Sequence, residues 1–325
     1  MQLWRALALI AAGTIAATAI GELDRAPSPI AVAMLLGLLA SPFVHLGESS
    51  PVPVIGKFAL RTGVVLLGFR ITLDEIADLG VVTLLMAVVV SVSVLAATVW
   101  IGRRTAIGRT LATLLGVGSA ICGASAVAAA GTTIESSDED TAYAIATVTL
   151  IGTVATFALP AVGTWAGLGD RDLGIWIGMM VHDVGQVVAA STTVGDVALT
   201  AAVPVKLVRV LLLVPVLTVL ARSSLAPRRE PGAEVPSRAQ RVRGLVPGFL
   251  ALFIVASVIS STGVIPDGLA DVAADVEKIL FTAALFAIGV SVHAPTLRRI
   301  GLRPALTSTV IWSVAALTTL VILRA

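Results

Sequence analysis

Apolar residues run along this chain in blocks, each long enough to be a helix in lipid and each closed by a short polar or charged stretch. Bilayer crossing takes ~20 predominantly apolar residues, and segments near that length recur from end to end. They predict helical spans at about 3–20, 29–44, 52–70, 80–101, 107–131, 141–165, 173–191, 198–221, 245–262, 275–292 and 302–323. The expected fold class is therefore all-α, a polytopic membrane protein of about eleven transmembrane helices. The run from Leu3 to Ile20 also has the shape of a secretory signal ending near Ala17-Thr18-Ala19, but it is taken as a retained first helix because the spans that follow need it for insertion.

The connections set an orientation. Arg103, Arg104 and Arg109 share one connection, Arg222, Arg228, Arg229, Arg238, Arg241 and Arg243 another, and Arg298, Arg299 and Arg303 a third. If every segment crosses once, all three fall on one side, the cytoplasmic side by the bias of basic residues. Three acidic clusters fall opposite: Asp74, Glu75 and Asp78; Glu135, Asp138, Glu139 and Asp140; and Asp267, Asp271, Asp275 and Glu277. The N-terminus is then cytoplasmic and the C-terminus outside, in an inner (plasma) membrane. The proline- and arginine-rich stretch 223–243 reads as a cytoplasmic linker between an N-terminal membrane half, 1–222, and a C-terminal part, 244–325. Lys57, Gly68 and Gly80 recur at the same spacing as Lys278, Gly289 and Gly301. These segments lie an odd number of spans apart and so run in opposite directions, as in an inverted repeat.

Composition agrees with lipid as the main solvent: 57% of 325 residues are hydrophobic and 13% charged, about half the charge of a soluble domain. A net charge of +2 in scattered basic clusters gives no nucleic-acid footprint. The single cysteine, Cys122, allows neither an internal disulfide nor a cysteine metal site. No cofactor and no metal are expected.

Two spans make poor continuous helices. In the first, Gly116, Gly118 and Gly123 each cost a helix interior about 1 kcal/mol relative to alanine. A break there frees backbone N–H groups, and an anion at the N-terminus of a second half-helix beginning near Gly123 would satisfy them, with Cys122 and Ser125 alongside. The alternative is that the small residues let neighbouring helices approach closely. The second span carries His182, Asp183 and Gln186, followed by Ser191. Charge inside an apolar span is costly and commonly functional, and a break near Gly185 would let the three converge. A structural hydrogen-bond network between helices is the alternative. Lys206 and Arg209 share a face deep in the next span, and Arg61 lies near the centre of the third, whereas Lys57 is expected to snorkel to the interface. Three deep cations against one clear carboxylate, Asp183, favour an anionic substrate.

Over essentially its full length the chain resembles the YeiH-type family to which sulfate export is ascribed. The resemblance is carried by Cys122-Gly123-Ala124-Ser125-Ala126, by His182-Asp183-Val184-Gly185-Gln186-Val187-Val188-Ala189-Ala190, by Lys206-Leu207-Val208-Arg209 and by Ala287-Ile288-Gly289. The family usually has Asn at the position of Ala124 and Glu at that of Asp183. It is distantly similar to bile-acid/sodium symporters and sodium/proton antiporters, which implies panel and core domains and two broken helices that cross. A span count makes the segments holding Gly123 and Gly185 parallel, whereas crossing helices of an inverted repeat are antiparallel. Either a segment is re-entrant or the second break belongs elsewhere, at Gly289 to Pro295.

These residues imply a secondary carrier, not an enzyme, for a sulfate-like or sulfonate anion. Cys122, Gly123, Ser125, Lys206 and Arg209 would bind it, Arg61 would be a further ligand, and His182, Asp183, Gln186 and Ser191 would gate or couple. The alternative is a sodium- or proton-coupled antiporter centred on Asp183. HExxH, GxSxG and GxxxxGK[ST] motifs are absent from the sequence. The GxxxG at Gly174 and Gly178 marks either a homodimer face or helix packing within one chain.

Overall fold

In a computed structural model of the protein, which describes residues 2–23, 28–44, 46–47, 50–105, 107–223, 225, 248–291 and 302–324, the described residues form fifteen helices and no strand. The predicted runs become α1 (Gln2–Gly21), α2 (Pro29–Ala40), α3 (Val52–Leu67), a short α4 (Leu73–Asp78) and α5 (Gly80–Arg104). Next come α6 (Arg109–Ala120) and α7 (Ala124–Gly131) from the first glycine-rich span, then α8 (Asp138–Trp165). The second polar span gives α9 (Asp170–Met180) and α10 (Val184–Thr192), followed by α11 (Asp196–Leu211), α12 (Leu213–Leu220), α13 (Gly248–Ser261), α14 (Asp267–Val290) and α15 (Arg303–Arg324). Among the described residues, five segments are long and apolar enough to cross a membrane: Leu3–Gly21, Gly80–Arg104, Asp138–Trp165, Asp196–Leu220 and Arg303–Arg324.

Side-chain caps start several of these helices. Ser28 accepts from the Ala31 N–H ahead of Pro29, Thr72 and Glu75 form a reciprocal capping box, and Ser137 accepts from Asp140 N–H ahead of three acidic residues in the first turn of α8.

Packing sorts the helices into two groups. α14 packs along α2 and α3, with α1 against α2 and α14, and α13 against α3; α5 to α12 pack with one another, and α15 joins them through α5 and α9. The groups touch chiefly where α10 meets α2 and α14. They cut across the linear order, since the last helix sits with the middle of the chain and not with α13 and α14. Gly68 and Gly289, matched by spacing, have matching contacts: a Cβ on Gly68 would lie 2.6 Å from the Phe253 carbonyl of α13, and one on Gly289 2.7 Å from the Met34 carbonyl of α2. α3 and α14 run antiparallel, with Gly56 beside Ala287 and Gly63 beside Phe281. Gly301 and most of 223–243 lie outside the described residues.

Two of the expected spans do not pass through the bundle. A Cβ on Gly118 of α6 would lie 2.6 Å from Val127 of α7, so these helices lie side by side as a hairpin. Beyond it, the Glu135 N–H donates to the Leu225 carbonyl at 2.7 Å, which sets the start of α8 beside the end of α12. α9 runs parallel to α11, with Gly174 on Ala198 and Gly178 on Ala202. α10 must therefore return to the face from which α9 entered. That face carries α4 and the start of α11, since the Arg171 guanidinium donates to the Asp78 carbonyl and Arg70 pairs with Asp196 at 3.3 Å. The α6–α7 and α9–α10 hairpins thus enter from opposite faces. This resolves the parallel-versus-antiparallel conflict in favour of re-entry, and it corrects one placement: Glu135, Asp138, Glu139 and Asp140 lie on the basic face, with Arg104 and Arg109, and not with the other acidic clusters. The GxxxG glycines are spent inside the chain, where a Cβ on Gly174 or Gly178 would lie 2.3 or 2.4 Å from a carbonyl oxygen of α11.

Candidate functional site

The hairpin tips meet. At the first, Gly123 has φ 66° and ψ −135°, a backbone that a residue with a Cβ rarely adopts. This turn brings Gly123 against His182 and Asp183, within about 3.6–3.7 Å of where its Cβ would be. The break in the second hairpin falls at Val181 to Asp183, ahead of the expected Gly185, because Asp183 caps α10: its Oδ1 accepts from Gly185 N–H at 2.9 Å. Gln186 closes the capping box by accepting from Asp183 N–H at 3.2 Å, and its Nε2 donates to Thr149 O and Thr153 Oγ1 of α8 at 3.2 and 3.3 Å. Gly152 is what makes room for it, since a Cβ there would stand 2.1 Å from Gln186 Oε1.

Each break leaves a half-helix ending in carbonyls with no continuing N–H. Lys206 and Arg209 of α11 satisfy them. The Lys206 ammonium donates to Ile121 O at 2.6 Å, to Val181 O at 2.9 Å and to His182 O. Arg209 donates from Nε to Ser91 Oγ and Ala120 O at 3.1 Å, from Nη1 to Gly178 O and Val181 O at 3.1 and 3.0 Å, and from Nη2 to Ser119 O and Ala120 O at 3.0 Å. Three ammonium protons and five guanidinium protons thus have partners, and both side chains are buried. In this structure both expected anion ligands are taken up by protein acceptors. The two cations sit at the negative C-terminal ends of α6 and α9, fastening both tips to one helix.

A cavity of about 510 Å³ lies against the tips. Neither Lys206 nor Arg209 lines it, but Cys122, Gly123, Ser125, His182, Asp183 and Gln186 do. Facing them from α3 are Lys57 and Arg61, four residues apart, with the Arg61 guanidinium 5.9 Å from the Phe249 ring centroid. Lys57 was expected only at the interface; its place on the cavity-facing stripe of α3 has a sequence signal, the i, i+4 spacing from Arg61. The remaining lining comes from α3, from the junction of α11 and α12, and from the basic-face halves of α8, α13 and α14, so most of the cavity lies on the basic-face side of the tips. At the acidic face, Arg70 joins the helix groups by pairing with Asp196 at 3.3 Å and with Glu277 at 3.4 Å.

The two half-helices whose N-termini reach the cavity differ. α10 has its own carboxylate cap, whereas α7 has no side-chain cap, so its positive end is open to the space shared with Lys57 and Arg61. Ser125 is exposed into that space. His182 is fully buried, its ring 5.8 Å from that of Trp312, and neither ring nitrogen has a hydrogen-bond partner among the described residues. Ser191 is not brought to the site; its hydroxyl donates to Val187 O at 2.7 Å within its own helix.

The model of the family described as Conserved hypothetical protein 698 matches residues 5–308. The chain is 37% identical to the UPF0324 membrane protein RSc1111 of Ralstonia nicotianae, over 78% of this chain and 72% of that one. It is 30% identical to the UPF0324 inner membrane protein YeiH of Escherichia coli K12, over 93% and 85%, and 31% identical to the UPF0324 membrane protein NMA0465 of Neisseria meningitidis, over 85% and 82%. No solved structure matches. A helical chain with several membrane-length apolar segments, matched along most of its length by these relatives, belongs to the conserved hypothetical protein 698 family of membrane proteins, the UPF0324 group that includes YeiH.

Proposed function

We propose that the protein is a secondary carrier that moves a small inorganic or organic anion across the inner membrane, exporting it by alternating access. The observation that carries this is the uncapped N-terminus of α7 facing Lys57 and Arg61 across one cavity, at the level where hairpins from opposite faces meet. An anion there gains from helix N–H groups and two cations at once. Discontinuous helices with N-termini at an anion are the usual carrier solution to binding within a bilayer. The helices α1–α3, α13 and α14 act as the panel and α5–α12 with α15 as the core, and Gly68 and Gly289 are equivalent points of an inverted repeat. With the basic face cytoplasmic, the cavity opens inward, and Arg70 with Asp196 and Glu277 forms the outer closure. His182 and Asp183, adjacent at the second tip and both lining the cavity, couple the movement to protons or sodium.

The test is uptake of labelled sulfate and competing small anions by the purified protein in liposomes, with and without sodium and proton gradients. Saturable uptake that collapses in Arg61→Ala is expected. Flux of sodium or protons alone, insensitive to Arg61→Ala and abolished by Asp183→Asn, would replace the anion carrier with the second hypothesis, an antiporter centred on Asp183. That hypothesis draws support from the Asp183 carboxylate lining the same cavity.

A further inference from the structure

Anion recognition accounts for only one side of the cavity. Opposite and around the charged groups stand Leu60, Val64, Val148, Val210, Leu213 and Phe249, with Ile288 beside the α10 tip. These side chains come from α3, α8, α11, α12 and α13, and α14 supplies Ile288, so the apolar wall draws on both helix groups. A volume of about 510 Å³ falls within the ~300–1,000 Å³ of sites that bury organic ligands with an apolar body and a few placed polar groups. A bare tetrahedral oxyanion, a handful of heavy atoms, would leave most of that space filled by water against aliphatic carbon. It would also forgo the hydrophobic contribution that the wall offers.

The polar groups are clustered. Gly123, Ser125, His182 and Asp183 are at the hairpin tips, and Lys57 and Arg61 lie on one stripe of α3 facing them. Leu213 opens α12 and Phe249 opens α13, so both stand toward the basic face, away from the tips. The cavity therefore carries its charged and polar groups at the hairpin tips and on one stripe of α3, and apolar carbon over the rest of its wall.

Resting on the anion-carrier proposal above, we infer that the substrate is an amphiphilic organic anion: a sulfonate or carboxylate head at the α7 N-terminus between Lys57 and Arg61, and an alkyl or aryl body along Leu60, Val148, Leu213 and Phe249. Inorganic sulfate fills the head position alone and binds weakly.

The test is calorimetric titration of the purified full-length protein in a neutral detergent with sodium sulfate and with methane-, ethane-, butane- and hexanesulfonate. Benzenesulfonate, hexanoate, hexanol and hexylammonium complete the panel, and Arg61→Ala and Leu213→Ser are run beside the unaltered chain. Burying each methylene should tighten binding about four-fold until the wall is covered, so butanesulfonate should bind at least ten-fold tighter than sulfate. Leu213→Ser should flatten the chain-length dependence, weakening hexanesulfonate more than sulfate. Arg61→Ala should weaken every anion. If sulfate binds as tightly as any sulfonate, the amphiphile inference is overturned while the anion carrier stands. If hexanol, hexylammonium and hexanesulfonate bind alike and Arg61→Ala changes nothing, the cavity is a non-selective apolar space, and both proposals fall. If no anion binds at all, the carrier proposal fails first and takes this one with it.

Discussion

Lys206→Met separates two roles for a deeply buried cation. As an anion ligand, its loss would cripple binding and spare the fold; as the donor to the hairpin tips, its loss should loosen the fold first. In the structure its ammonium donates to Ile121 O, Val181 O and His182 O. Methionine keeps the length and apolar stem but no proton. Val181 O keeps its bond from Arg209 Nη1 at 3.0 Å, so Ile121 O and His182 O are the carbonyls that lose this donor. A buried polar group left unsatisfied costs about 1–3 kcal/mol, or about 2–6 kcal/mol for the pair. Removing a buried ammonium also removes its own desolvation penalty, which draws the expectation to the lower end, about 2–3 kcal/mol. At ~2–4 °C per kcal/mol for a chain of a few hundred residues, the unfolding midpoint in detergent should fall by at least about 4 °C. Tryptophan fluorescence on heating measures it, with Arg61→Ala as the control that should keep its midpoint. Lys206→Met that melts with the unaltered protein but no longer binds sulfonate would refute the carbonyl-clamp reasoning and restore Lys206 as a direct ligand.

Gly123→Ala should destabilise by about 1–3 kcal/mol through its positive φ alone, because a Cβ there meets only ordinary contacts near 3.6 Å; chemical denaturation in mixed micelles reads it. Arg209→Lys should be more damaging than its charge suggests, since an ammonium has three protons where the fork fills five; a lowered melting midpoint and no rescue by added anion are expected. The hairpins predict labelling. In a Cys122→Ser background, a cysteine at Asp138 should react with a membrane-impermeant maleimide from the same side as one at Leu225 and opposite to one at Asp78, and reaction of Asp138 and Asp78 from one side would restore full crossing by α6–α7. Arg70→Ala should weaken the acidic-face closure, raising maleimide access to a cysteine at Val184 from that face; unchanged access would remove Arg70 from the gate.

Much of the site was legible because its signals are local. Glycine in an apolar run weakens a helix wherever it is, so the segment around Gly116 to Gly123 announced a break, and the observed half-helix begins at Ala124. His182 and Asp183 stood out because charge in an apolar span needs a partner, and they do occupy the second tip. The break came at Asp183, ahead of Gly185, because an aspartate that caps its own helix decides the start more firmly than a glycine two residues on. Arg61 was visible as a deep cation; Lys57 was assigned to the interface, since hydropathy gives depth along a span but not which way a stripe faces.

What the sequence by itself determined is the helical class, the apolar runs that become helices, the existence of two breaks and the excess of deep cations over carboxylates. Each follows from short-range free energies: apolar length, capping, and the cost of glycine or of an ion in lipid. What only the tertiary structure decided is direction and partnership. A hydropathy profile is the same whether two half-helices continue through a bilayer or fold back, and folding back is settled by contacts between distant residues, Gly118 on Val127 and Glu135 on Leu225. The same holds for Lys206 and Arg209: the chain carries the cations, but whether their protons meet a ligand or orphaned carbonyls depends on which helix ends the fold brings within 3 Å, and here it brings the ends of α6 and α9.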